Sequence, residues 1–205
     1  KVNLNTEATT EYLKKKNYDS VVFAYGTKNI TPKIPGIEEV NVVQATDLLT
    51  NPKLLGDSEK IVVVGGGVVG CETAYYLKYE HNKDVKVVEM LPYIMDGACT
   101  ANRGHLLYYL NKENVELINC AKVISFNKGK VNIVKNVSKG VPNPNNTWQP
   151  ILPANIQNPL AKKIGDETVN LSLDADLVVL AIGGKSDVGM YFEEQRLHAE
   201  PEIYN

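Results

Sequence analysis

The 205-residue chain carries Lys+Arg 22 against Asp+Glu 24, a formal net charge of −2, with 43% hydrophobic residues. This near-neutral balance, without a basic stripe or a charge block, argues against nucleic-acid binding and against a charged tail, and the apolar content suffices for one packed domain with appendages. The longest uncharged apolar run, residues 61–71, holds 11 residues of which four are glycine, well short of the ~20 that span a bilayer. With no signal-peptide pattern and a start at Lys1, the sequence predicts a soluble, cytoplasmic protein without membrane partners, read as part of a longer chain.

The first strong element is the strand Ile61-Val62-Val63-Val64, which runs into Gly65-Gly66-Gly67-Val68-Val69-Gly70. Residues 68–78 then read as a helix, and 84–89 as a second parallel strand ending on Glu89. A GxGxxG match is weak in isolation. Here it follows a strand, opens a helix and precedes an acid 19 residues beyond Gly70, which is the context of a dinucleotide-binding fingerprint. Gly65 is expected to make the tight turn, Gly67 to let a pyrophosphate approach the backbone, and Gly70 to let the helix pack on the sheet. The exposed N–H groups at the start of that helix would hold the pyrophosphate without a lysine, and Gly66, Val68 and Val69 join the three other glycines in the cofactor-binding set.

A carboxylate at Glu89 would accept hydrogen bonds from the adenosine ribose and repel a 2′-phosphate, which favours NAD(H) over NADP(H). The adjoining Met90-Leu91-Pro92-Tyr93-Ile94-Met95 offers no arginine or lysine for a phosphate, and Met90 joins the cofactor-binding set. The alternative for Glu89 is an ordinary strand-end acid.

Further along, 100–111 reads as a helix with Leu106, Leu107 and Leu110 on its apolar side, and 115–118 as a third strand. Residues 122–126 and 130–135 flank Asn127-Lys128-Gly129, a hairpin signal. Residues 136–167 contain five of the ten prolines and the sole tryptophan, Trp148, and predict an irregular excursion, functional or mobile at such length. Trp148 would either anchor the excursion to a partner or pin it to its own domain. The alternating stretch 168–173 and the apolar run 175–182 complete an α/β fold: a Rossmann-like parallel sheet with a three-stranded antiparallel meander, spanning 58–186. Ile182 and Gly183, at the end of the last strand, are a second candidate cofactor contact; a plain loop glycine is the alternative for Gly183.

Cys71, Cys99 and Cys120 lie 28 and 21 residues apart, so no CxxC pair exists, and they read as reduced, mostly buried thiols. His81, His105 and His198 lack companions at ligand spacing. Neither a metal site nor a catalytic acid–base residue is assigned.

The flanks carry a resemblance. Tyr18-Asp19-Ser20-Val21-Val22-Phe23-Ala24-Tyr25-Gly26, then Pro32 and Ile34-Pro35-Gly36, resemble the stretch leading from the FAD domain into the NADH domain of two-dinucleotide flavoprotein reductases. Gly65 through Glu72 and Ala181-Ile182-Gly183 match further landmarks of that family, although Tyr25 stands where threonine is usual. The sequence looks most similar to the carboxyl-terminal half of the old yellow enzyme-like branch, which includes enoate reductases, dienoyl-CoA reductases and trimethylamine dehydrogenase. The excursion with Trp148 and Pro153, and the ending 199–205, look most like clostridial-type enoate reductases.

The resemblance implies a segment 1–45 belonging to an interrupted FAD domain and its linker, the NADH domain 58–186, and a return segment 187–205 toward the FAD domain. It implies that NADH delivers hydride to FAD, with FMN and an iron–sulfur cluster elsewhere in a longer protein and an unsaturated substrate at the end. The remaining FAD domain and FMN barrel are the implied protein partners. The family's first glycine-rich FAD motif and its cluster cysteines are not in this sequence. Glu72 matches a family acid near the nicotinamide end; its alternative is a helix N-terminal acid favoured by the dipole. A second function stays open: a module that binds ADP without hydride transfer, since the fingerprint and Glu89 read only the adenine half.

Overall fold

The computed structural model describes residues 1–197 apart from Gln149, Ile151, Ala154, Gln157 and Leu160. His198 and the ending 199–205 therefore lie outside the described residues. In chain order the elements begin with α1 (Thr10–Lys16), β1 (Thr27–Asn29), β2 (Val42–Gln44), α2 (Ala45–Thr50), β3 (Lys60–Val64) and α3 (Val68–Tyr79). There follow β4 (Asp84–Val88), α4 (Thr100–Lys112), β5 (Glu116–Ile118), β6 (Ala121–Asn127), β7 (Lys130–Asn136), β8 (Thr168–Asp174), β9 (Leu177–Leu180), β10 (Gly184–Ser186) and α5 (Gly189–Leu197).

Two compact units result, Thr31–Ile182 and a second made of Lys1–Ile30 with the segment from Gly183. In the larger unit five parallel strands take the order β2-β9-β3-β4-β5, and β6-β7-β8 form an antiparallel sheet. The α/β class with its meander is thus the observed fold. The continuous apolar run of β3 follows from burial on both faces. Ile61 and Val63 join the core formed with Cys71, Ala74 and Leu77 of α3 and Leu107 and Leu110 of α4. Val62 and Val64 face the opposite way, into the core built with Val123, Phe126, Val131 and Ile133 of the meander. One strand therefore cements three layers.

The larger compact unit spans Thr31–Ile182, and the stretch 58–182 of the expected nucleotide-binding domain lies within it. Residues 31–45, the end of the stretch expected to be FAD-domain segment and linker, pack within this unit. β2 pairs parallel with β9, Ala45 and Leu48 are buried, and the Phe126 N–H donates to Pro35 O at 2.8 Å. Gly36 sits at φ +78, and a Cβ there would overlap Phe126 O. A three-residue strand followed at once by a six-residue helix is too short to show a period. Of the apolar run 175–182, the strand β9 takes Leu177–Leu180.

β8 also departs from its alternating pattern. Val169 and Leu171 remain exposed at the sheet edge, and only Leu173 packs against the core.

In the smaller unit β1 and β10 pair antiparallel, Thr9 caps α1 through Oγ1, and Phe23 packs edge-on against Tyr25 and Tyr191. None of its described residues is buried. Among the described residues no helix is long and apolar enough to cross a membrane.

Leu77 is fully enclosed between α3 and the sheet. Leu77→Ala is expected to lower the unfolding free energy by about 2–5 kcal/mol, measured by urea denaturation; a loss well under 1 kcal/mol would contradict the packing described.

Candidate functional site

The chain turns off β3 at Gly65, whose φ of +110 lies in the region that disfavours side chains. A second constraint acts on the same residue: a Cβ would overlap Ala181 O and stand 3.3 Å from the Ile182 N. Gly70 is needed for a related reason, because a Cβ would overlap Gly65 O and lie 3.2 Å from the Ala181 Cβ. Gly67 differs from both. It caps α3 in an extended conformation, φ −71 and ψ −175, and a Cβ there meets nothing within 4 Å. The space in front of Gly67 is open, as a ligand cradle requires. Intrahelical bonding begins with the Cys71 N–H donating to Gly67 O at 3.0 Å, so the N–H groups of Val68, Val69 and Gly70 are left for a ligand or water.

Glu89 stands just past β4 and is half-buried. Its Oε2 accepts from the Gly66 N–H at 2.7 Å and its Oε1 from the Leu91 N–H at 2.7 Å. These bonds use two of about four carboxylate acceptor positions. The remainder stays free for donors such as ribose hydroxyls. Gly66 is packed tightly here, since a Cβ would lie 2.8 Å from the Glu89 Cβ and 3.0 Å from the Ile94 Cδ1. The Met95 N–H donates to Gly66 O at 2.7 Å, with Met95 itself at φ +54. The loop after β4 thus holds the glycine loop from behind, and Met90 projects from it 64% exposed.

The structure therefore brings together the glycine loop, Glu89, Met90 and, through the close approach to Gly65, Ile182. Gly183 belongs to the smaller unit, where it adopts φ +88 and its carbonyl accepts from the Ile30 N–H at 3.1 Å. Glu72 is the fifth residue of α3, in its second turn rather than its first. The dipole explanation weakens there, because that effect fades beyond the first turn. It borders a cleft of about 480 Å³ with Val68, Met95, Asn102 and His105.

The cysteines differ from one another. Cys71 is buried, whereas Cys99 is exposed and Cys120 intermediate, so the expectation of mostly buried thiols holds for one of three. Burial, then the negative charge of Glu89, push the Cys71 thiol up to about 12. Trp148 is 60% exposed, which counts against its pinning the excursion to its own unit. Asn119 does the pinning, its Nδ2 donating to Pro92 O at 2.6 Å and Pro142 O at 2.9 Å.

Sequence reasoning missed Arg103, the only charged side chain buried among the described residues. Burial lowers its pKa from the ordinary value, while the nearby Asp96 acts to raise it. The signal was present: Arg103 lies at helical spacing from Leu107 and Leu110, a cation on the apolar stripe.

A five-stranded parallel sheet beside an antiparallel meander is the fold of FAD/NAD(P)-binding oxidoreductases. The chain belongs to the pyridine nucleotide-disulphide oxidoreductase family, whose description matches residues 1–201; the family binds FAD and NAD(H). It is 31% identical over 195 residues to a cinnamate reductase of Clostridium sporogenes, covering 94% of this chain and 24% of that protein. To an NADH oxidase of Thermoanaerobacter brockii it is 41% identical over 92 residues, 44% of this chain and 14% of that one. A solved 2-naphthoyl-CoA reductase superposes with TM-score 0.66 and 27% identity, covering 98% of this chain and 25% of that one. The chain thus spans a quarter or less of the length of these proteins.

The glycines should respond differently to alanine. Gly65→Ala is expected to destabilise the fold by more than about 2 kcal/mol through strain and overlap, whereas Gly67→Ala should unfold at the wild-type denaturant concentration and lose affinity only for a dinucleotide. For the thiols, iodoacetamide at pH 8 should label Cys99 in the folded protein and reach Cys71 only after unfolding, as peptide mass mapping would show.

Proposed function

We propose that the larger unit is the NADH-binding domain of a flavin-dependent oxidoreductase, and that it passes hydride from NADH to FAD. The observation that carries this reading is the arrangement around Glu89: a carboxylate fixed by two backbone N–H donors, with acceptor positions to spare, beside a glycine at which a side chain would meet only open space. The ribose hydroxyls would donate to Glu89, and the pyrophosphate would accept from the N–H groups of Val68 and Val69 at the positive end of the 12-residue α3. Bound in this way, NADH supplies a hydride donor. Ile182 would border the cofactor on the sheet side, and Glu72 would orient the carboxamide from the second turn of α3. No side chain of this chain needs to act as an acid or base, because the redox chemistry belongs to the cofactors.

The smaller unit is assigned to the FAD domain. That none of its described residues is buried fits a portion of a larger domain whose core includes residues outside this sequence. These residues alone do not make a complete FAD site.

For the full-length protein we assign the old yellow enzyme-like branch, with an FMN barrel and an iron–sulfur cluster carrying electrons to an unsaturated substrate. Similarity to the cinnamate reductase along 94% of the chain supports that branch, and the lack of a CxxC pair in this sequence counts against the thioredoxin reductase branch. A cytoplasmic location suits three free thiols and a nicotinamide reductant.

Calorimetric titration with NADH, NADPH and ADP tests the reading. NADH is expected to bind more tightly than ADP, and NADPH weakly. Equal affinity for ADP and NADH would instead favour a nucleotide module without hydride transfer. Glu89→Arg should weaken NADH binding by about tenfold and improve that of NADPH; unchanged affinity for both would remove Glu89 from the site.

A further inference from the structure

A second cleft, of about 780 Å³, lies between the loop after β4, the start of α4 and the excursion. It has two chemical sides. Tyr93, Pro150, Leu152, Pro153 and Ile156 form an apolar wall, while Arg103, Lys162 and Lys163 bring positive charge. Asp96 is the one carboxylate among the lining residues, so three cations stand against one anion.

Arg103 is the unusual member. Only 3% exposed, it donates from Nε to Ile94 O at 2.9 Å, yet its buried Nη1 has no acceptor. A guanidinium offers five N–H donors, and leaving a buried ionised group short of acceptors is costly. A buried unsatisfied group of this kind calls for a missing partner. The start of α4 adds to the demand. Cys99 precedes this 13-residue helix without making a side-chain cap bond, and the dipole at the helix start favours an anion.

From the unsatisfied guanidinium and the apolar wall together, the geometry points to a second ligand site. The cleft binds a small organic acid, with its anionic group at Arg103 and the start of α4 and its apolar body against Leu152, Pro153 and Ile156. Lys162 and Lys163, both exposed, add attraction for the anion. This site does not rest on the NADH reading: the two clefts share only Ala98 and Cys99, and neither Glu72 nor Glu89 borders this one.

Three probes separate the contributions. Octanoate joins a carboxylate to an apolar chain, octanol keeps the chain without the charge, and inorganic phosphate keeps the charge without the chain. In calorimetric titrations octanoate is expected to bind saturably and at least about tenfold more tightly than either of the others. Absence of saturable octanoate binding overturns the proposal, as does octanol or phosphate binding equally well. Arg103→Met should weaken octanoate by about tenfold or more. Should that variant fail to fold, Leu152→Asp, at a position 37% exposed, places a carboxylate on the apolar wall and is expected to abolish binding. Wild-type affinity in Leu152→Asp would overturn the site. Octanoate binding is measured without nucleotide, so failure of the NADH reading would leave this result standing.

Discussion

Helix α3 crosses the end of β3 with no room for a side chain between them, and the rest of the unit is arranged around that approach. Gly70 rests on the Gly65 carbonyl, and Gly65 in turn lies against the Ala181 carbonyl beyond β9. Two glycines thus let helix, central strand and neighbouring strand meet at one point. Because α3 starts there, its unpaired N–H groups collect where the carboxyl ends of the parallel strands open, the place at which such sheets take ligands. The same approach fixes the register of β9 against β3, with Val64 opposite Leu180.

A second layer of order comes from the loop after β4. It presents Glu89 to the Gly66 N–H and returns the Met95 N–H to the Gly66 carbonyl, so both backbone polar groups of Gly66 are engaged. Arg103 reaches the same loop at Ile94. Loop, glycine turn and α4 therefore form one hydrogen-bonded assembly, and a carboxylate held in this way keeps its orientation without a ligand. The left-handed conformation of buried Met95 is the local cost of the geometry.

The meander contributes differently. It covers the sheet face opposite the helices, and its first two strands bury Val123, Phe126, Val131 and Ile133 against β3 and β9. β8 adds little beyond Leu173, and it carries the chain from the excursion back into the parallel sheet. The excursion is closed at its base, where the Val137 N–H donates to Glu167 O at 2.8 Å and the Gly165 N–H to Ser138 Oγ at 3.0 Å.

By itself the sequence determined the strand–glycine–helix–strand unit, the identity of Glu89 as its terminal acid, the hairpin and the return to the parallel sheet. These features are local: each is written in a run of apolar residues, a glycine whose φ no other residue tolerates, or a turn of fixed length. Tertiary structure decided the rest. β2 is too short to carry a period, and it becomes a strand only because β9 offers it an unpaired edge. Packing also settled that Gly67 faces open space while Gly65 and Gly70 face backbone, that Glu72 sits beyond the first turn, and that Trp148 stays exposed. Arg103 shows the division most clearly. Its place on the apolar stripe could be counted from sequence, but that its guanidinium would be buried and short of an acceptor depends on neighbours that only folding brings together.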